Sequence, residues 1–598
     1  MRGQMKHQLG WARVSALAFA ASFSVACGRV NDDTDVGMFS GGAHGDGGGT
    51  NAAQSGGAAG GAQSGGAAGG AQSGGATGAA QGGVPATKGG APSSGGSGAV
   101  PMAGGSGSWD CSSAKRWVGD LEFYSQNSLD ELSPLSEVEG SLRIAGDDVE
   151  HLEHLSCLRE VTGSLRVDHT SALVRLDGLE NLATVGSSVS VTNNRWLASL
   201  SGMRGLTKVG SNFDVSENPV LINLDGLEGL TSLGGLLSIR ANPALESIGA
   251  LMNLTNADAV EVSSNPNLKR LSGLGGVQQL TSLTVRDSSN IENLAGLSGL
   301  VVIAGELTLT ENAVLQNLSG MSSLTSVLHV DIENNPALKN LSGLERVRQM
   351  VSLNLWQNQT LEDLTGLRAD RIESIGIGSN PELANVEALS ELTQVTELRL
   401  SNNTLLANID GLRGLEQAGV LVLEDCPVTT LAPLRNLVSV DSLGIGVTPL
   451  INLNGLEQVT INTDGSLFVF GNPDLVSLGA LAKIGPGLGD LAISENPSLL
   501  DLSGLEGVRS VEGVVQVLMN DALTSLHGLE SLSSAESLYV ADNERLRSVS
   551  ELASLSRVST LSIERNPGLP TCGAVALSSR VQAEFTSLAG NDELAPCP

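Results

Sequence analysis

The side chains able to do chemistry in this 598-residue chain are few and scattered. The one local grouping of histidines is Glu150-His151-Leu152-Glu153-His154. Its His-x-x-His spacing offers one edge of a metal site, but zinc takes three or four protein ligands and no third or fourth recurs nearby. The pair reads as a solvated edge, and neither a metal nor any other cofactor is expected. Carboxylates are abundant, 64 Asp and Glu, so acidic pairs arise by chance. None stands in a nucleophile elbow, an HExxH or a phosphate loop, and the chain is expected not to be an enzyme. Of the six cysteines, Cys426 lacks the adjacent His or other base that would make a thiol reactive.

The elements that must position these residues are set by a repeat. Asn212–Gly235 reads NFDVSENPVLINLDGLEGLTSLGG, and close copies of it fill most of the chain. Each copy opens on an apolar-x-apolar triplet such as Phe213-Asp214-Val215. It then runs through Asn218-Pro219 to leucines at steps of three: Leu221, Leu224, Leu227, Leu230 and Leu233. Twenty triplets run from 121 to 561, a mean spacing of about 23 residues, which is the signature of a solenoid. The alternation suits a half-buried strand with its first and third residues inward. Glycines such as Gly226 interrupt the leucine steps, and each costs about 1 kcal/mol inside a helix. A turn is therefore expected to hold a strand, a tight corner and two short extended or 3₁₀ sides. One turn buries too little to stand alone, so stacking must bury the leucines in one column.

Fourteen triplets are followed three residues later by Asn: Asn194, Asn218, Asn242, Asn265, Asn312, Asn335, Asn358, Asn380, Asn403, Asn472, Asn496, Asn520, Asn543 and Asn566. A corner turning into the core strands backbone groups that need partners. An amide that both donates and accepts supplies them between turns, so the asparagines are read as a structural ladder.

The pattern L-x-V-x-x-N-P-x-L-x-x-L-x-G-L resembles the leucine-rich repeat, L-x-L-x-x-N/C-x-L. It is still more similar to receptor L-domain-like proteins, whose flattened right-handed β-helix occurs in insulin-type and epidermal-growth-factor-type receptors and in many bacterial surface lipoproteins. The resemblance covers about Trp109–Pro598. It implies an all-β, right-handed β-helix or leucine-rich-repeat-like solenoid of about 20 turns, with a partner bound on an outer face. Counting from Leu421, Cys426 falls where that consensus accepts Cys for Asn, which implies a buried structural thiol. Polysaccharide lyases and hydrolases also use β-helices, but they cluster acids or bases on one strand face. Here the middle triplet residue varies without such a cluster: Asp214, Ser238, Glu261, Thr284, Thr308, Asp331, Asn354.

Ahead of the repeats, Met1–Ala26 places Arg2, Lys6 and Arg13 before the apolar run VSALAFAASFSVA, too short to span a bilayer and shaped like a secretory signal. Ser24-Val25-Ala26-Cys27 resembles a bacterial lipobox, with Ser24 where Leu is preferred, and implies lipidation of Cys27. The expected address is the bacterial envelope, outer membrane or cell surface, held by acyl chains alone; secretion or a periplasmic location follows if Cys27 is not lipidated. Residues 27–108 are a Gly, Ala, Ser and Gln-rich linker that cannot bury enough apolar surface to fold. The solenoid then occupies 109–569 and a C-terminal cap 570–598. An exported chain permits disulfides, and the pairs expected are Cys111 with Cys157 and Cys572 with Cys597.

The net charge of −31 repels phosphate backbones and anionic lipid surfaces, which excludes nucleic acid as a partner. What remains is the outer strand face of a monomer. With Leu467 and Val469 inward, Phe468 and Phe470 point out beside Gly444 and Gly446, with Ala492 above and Val422 below. Exposed apolar patches mark contacts, although rings laid over strand glycines are also a packing device. Trp356 and Tyr539 read as isolated outward aromatics. The expectation is a surface-tethered protein binding a protein or glycan partner; the alternatives are an envelope or adhesion spacer without a pocket, and a carbohydrate-active β-helix enzyme.

Overall fold

Each repeat becomes one turn of a parallel β-solenoid in the computed structural model, which describes residues 110–596. The signal, Cys27, the linker and Cys597 lie outside the described residues. The first residue of each triplet pairs with its counterpart in the next turn, in chain order. Leu121 meets Leu142, which meets Leu165, and the file continues through Val189, Phe213, Leu237 and Val260. It runs on without a break to Leu538 and Leu561. A slip of one residue would turn every buried leucine to solvent, so the hydrophobic pattern itself holds the register.

A second parallel ladder precedes the triplets. In the first turns it is a separate six-stranded sheet that starts with Lys115–Val118 and Leu135–Glu139 and ends with Ser232–Leu233. From Val302–Thr310 to Ser439–Gly446 the two ladders fuse into strands of eight or nine residues. The leucine-rich return side carries isolated parallel bridges and short 3₁₀ turns such as Ser201–Met203 and Gly479–Leu481. Its inward leucines and the triplet residues join one continuous apolar core; Phe213, Val215, Leu221, Leu224, Leu227 and Leu230 are all fully buried. Burying one such side chain contributes about 1.5–3 kcal/mol, and every turn repeats the gain.

The glycine inside the leucine steps is required by close approach. Gly226 sits at φ +114°, and a Cβ there would lie 2.0 Å from the Leu200 carbonyl oxygen of the turn below. Its N–H donates to Glu228 Oε2 at 2.9 Å, and Gly343–Glu345, Gly455–Glu457 and Gly504–Glu506 repeat that pairing. These glutamates are thus turn caps. The tight corner is made by the residue just before the ladder asparagine, which adopts a left-handed conformation in turn after turn: Glu217 (φ 56°), Ala241 (φ 50°), Asn334 (φ 53°) and Arg565 (φ 52°) among them.

The asparagines are fully buried and bonded in a chain. Asn218 Nδ2 donates to the Val191 carbonyl at 2.9 Å, and its backbone N–H donates to Asn242 Oδ1 at 3.1 Å. Asn242 repeats both bonds with Val215 and Asn265. The side-chain amide thus ties its turn to the one before, and the backbone N–H ties it to the one after, which answers the demand for buried backbone partners.

The stack has one turn more than the twenty triplets. Strand Phe585–Ser587 pairs with Thr560–Glu564, and Asn591 Oδ1 accepts from the Asn566 N–H at 3.1 Å. Thr586 stands where an apolar residue is expected, and the intervening helix Thr571–Ser578 lengthens the repeat, so the period hides this turn. At the other end Cys111 and Cys157 are disulfide-bonded, with Cα atoms 5.4 Å apart. Cys572 is also disulfide-bonded; its expected partner, Cys597, lies outside the described residues. His151 and His154 both reach the short helix Gln126–Asp130, at Gln126 (3.2 Å) and Asp130 (3.5 Å), while Leu152 between them is buried in the core. Among the described residues no group of His, Cys, Asp and Glu is placed to hold a metal, and no helix is long and apolar enough to cross a membrane.

Candidate functional site on the strand face

Two outward files run up the main ladder, because alternate strand residues leave the core. Over turns 12 to 17 the first file is Gly376, Arg399, Val422, Gly444, Phe468 and Ala492. The second is Gly378, Ser401, Glu424, Gly446, Phe470 and Ser494. The structure therefore brings Val422, Phe468 and Ala492 into one file with Gly444 between, and sets Phe470 beside them. Val422 is 9% exposed, and Phe468, Phe470 and Ala492 are half-buried.

The two phenylalanines differ in what they do. A Cβ on Gly446 would lie 2.3 Å from Phe470 Cζ, so the Phe470 ring lies over that glycine. The three atoms nearest a Cβ on Gly444 belong to Val422, the closest at 3.4 Å, so Val422 is the nearest side chain over that glycine. Trp356 proves not to be an isolated aromatic: a Cβ on Gly378 would lie 2.0 Å from its Cζ3, so the indole reaches forward over turn 12. Its signal in the sequence was the pair Gly376 and Gly378 one turn on, the same signal that drew attention to Gly444 and Gly446. Trp356 leans toward the C-terminus and Phe470 toward the N-terminus. Three strand spacings of about 4.8 Å separate the glycines beneath them, so the rings bracket a strip about 14 Å long that holds Ser401 and Glu424.

Charge on the strip is partly neutralised. Arg399 pairs with Glu397 on its own strand. Glu424 is pushed above the ordinary carboxylate range by burial first and by neighbouring Asp425, while Arg399 pulls it back. At the N-terminal border Asp331 is pushed up to about 6, by burial and then by Glu333 and Glu306 on the same face.

Local rules also lapse here. The asparagine ladder is replaced by Cys426 in turn 14 and Thr448 in turn 15. The left-handed corner of turn 15 is Val447 (φ 50°), a β-branched residue in a conformation such residues avoid. The asparagine is also absent from the first three turns, where Gln126, Asp147 and Thr170 hold its place, and singly at Ser288; Thr170, Ser288 and Thr448 each still donate the backbone N–H to the next asparagine. Cys426 is buried, its thiol donates toward the Leu400 and Glu424 carbonyls, and burial pushes its pKa up to about 11.

The turn geometry at the start of the stack has a recognised counterpart. Residues 136–224 match the receptor L domain family model. That segment covers turns 2 to 5, and the later turns repeat its ladders, so the solenoid as a whole has a receptor L-domain-like, leucine-rich-repeat fold. A search of curated proteins finds no match. Among solved structures the chain is similar to an internalin from Listeria monocytogenes, with 16% identity over 55% of this chain and 85% of that one, and a TM-score of 0.28. It is also similar to a leucine-rich-repeat protein of Leptospira interrogans (16% identity, 73% and 91% covered, TM-score 0.31) and to one from Bacteroides eggerthii (12%, 76% and 71%, 0.36).

Proposed function

We propose that the protein is an exported, non-enzymatic binding protein, tethered to the cell envelope through lipid on Cys27, whose strand face at turns 12 to 17 holds a protein or glycan partner. The observation that carries the reading is the bracketed strip: two glycine-floored turns covered from opposite sides by Trp356 and Phe470, with Val422, Phe468 and Ala492 continuing it. Beyond the first three turns, turns 14 and 15 are the one pair of successive turns among the described residues without the ladder asparagine, and such a lapse inside a regular stack points to function. Disulfides at Cys111–Cys157 and at Cys572 suit an exported chain.

The test uses two single variants in the full chain. Phe468→Ser removes an outward ring from a position where Val422 is the nearest side chain to the neighbouring glycine, and it should abolish retention of partner from intact cells while the chain still unfolds in a single cooperative transition. Phe470→Ser uncovers Gly446 and should lower stability by about 1 kcal/mol as well. If Phe468→Ser leaves every partner bound, the face is packing alone and the rod is a spacer. Mass spectrometry of the mature N-terminus decides the anchor: an unmodified Cys27 removes the tether from the proposal.

A further inference from the structure

A polar groove of about 450 Å³ lies at the corner between the two ladders, across the same turns as the strip. It exists because the corner residues run Glu373, Thr396, Gly419, Asp441 and Asn462 through successive turns. The short middle pair, Thr396 and Gly419, forms a floor between longer walls. Nothing larger fits at Gly419, where a Cβ would lie 2.4 Å from the Thr396 carbonyl oxygen. Asp441 leans across, its Oδ2 3.4 Å from that same position. Asn462 Nδ2 donates to Asp441 Oδ1 at 2.5 Å, and Ser439 Oγ donates to Asn462 Oδ1 at 3.4 Å, so one wall is a linked set of polar groups. On the adjoining strand Gln394 and Gln417 stand in register, both exposed, with Ser439 next in the file.

We propose that this groove binds a neutral oligosaccharide. The inference deepens the binding role above by naming a ligand class for the same turns, and it uses none of the strip's residues. The lining matches hydroxyl chemistry: amides and a carboxylate offer paired donors and acceptors to vicinal hydroxyls. Gln394 and Gln417 repeat the same amide at one strand spacing, about 4.8 Å, which suits a ligand that itself repeats. A protein partner would want a buried aromatic or apolar anchor, and the apolar lining residues Ile372, Val395 and Ala418 are turned into the core. A polyanion would meet Glu373 and Asp441 against one Arg371, under a net charge of −31.

The experiment is isothermal titration of the full chain with chitohexaose, cellohexaose and maltohexaose, which separate N-acetylated from plain hexose chains. A sulfated hexasaccharide and an unrelated acidic peptide serve as the competing classes. Saturable binding of at least one neutral hexasaccharide is expected at submillimolar Kd. Gln394→Leu/Gln417→Leu, whose side chains are exposed and close no core, should weaken it at least tenfold with an unchanged melting curve. Asp441→Asn, which keeps the shape of the wall, provides a second probe and should weaken it severalfold. The proposal is overturned if no neutral hexasaccharide binds at millimolar concentration, if the sulfated sugar or the peptide is preferred, or if neither variant changes the affinity. Phe468→Ser should leave sugar binding intact, so loss of the groove ligand and loss of the strip partner are read separately.

Discussion

At the scale of single residues, the asparagine ladder is the chemistry the chain depends on. Asn242 accepts from the Asn218 N–H and donates to the Val215 carbonyl, both buried. In Asn242→Ala both groups lose their partner, and each orphaned buried group costs ~1–3 kcal/mol. A loss of ~2–4 kcal/mol on denaturant unfolding is expected; a loss under ~1 kcal/mol would show that water replaces the amide. Cys426 occupies the equivalent place with a poorer hydrogen-bonding group. Its thiol, pushed up to about 11 by burial, should resist iodoacetamide at about pH 8 in the native protein and react fully after unfolding. Rapid native labelling would place it outside the column.

At the scale of elements, the outer strand face shows how neighbouring turns set each other's properties. Asp331 ionises against burial, Glu333 and Glu306, and its folded pKa of about 6 lies above the ordinary 3.8. A pKa raised by folding means that its contribution to stability is fully present below pH ~4 and is lost as pH rises through about 6. The gap between the two values bounds the effect at ~3 kcal/mol, and partial exposure brings it nearer ~1 kcal/mol. Asp331→Asn should therefore raise the melting temperature at pH 7.5 and leave it unchanged near pH 4. Equal shifts at both pH values would mean that the carboxylate is solvated. The same neighbour logic hid Trp356: read along one strand it is a lone aromatic, and only pairing with the next turn lays it over Gly378.

At the scale of the whole molecule, the solenoid is close to one-dimensional, each turn contacting the turns beside it. Removing residues 218–241 deletes one period of 24 residues and joins the corner at Glu217 directly to Asn242. Asn194 should then bond Asn242, and the chain should keep its β-type circular dichroism and a single unfolding transition. Deleting residues 218–229 instead breaks the register and should unfold several turns, because a half-period faces leucines to solvent. If both deletions are equally damaging, the turns are not interchangeable units.

The sequence by itself determined the stack: its period, its parallel order, the inward leucines and the amide ladder are local and repeat identically, so one turn explains the next. It also located Phe468 and Phe470 beside Gly444 and Gly446, because outward strand positions follow from alternation alone. Tertiary structure decided what depends on contact between turns. It showed which ring covers which glycine, that Thr396 and Gly419 open a groove between Glu373 and Asp441, and that Thr586 and Asn591 extend the column by one turn. Those outcomes rest on side chains some 23 residues apart that meet only after stacking, and no pattern within a single repeat encodes the meeting.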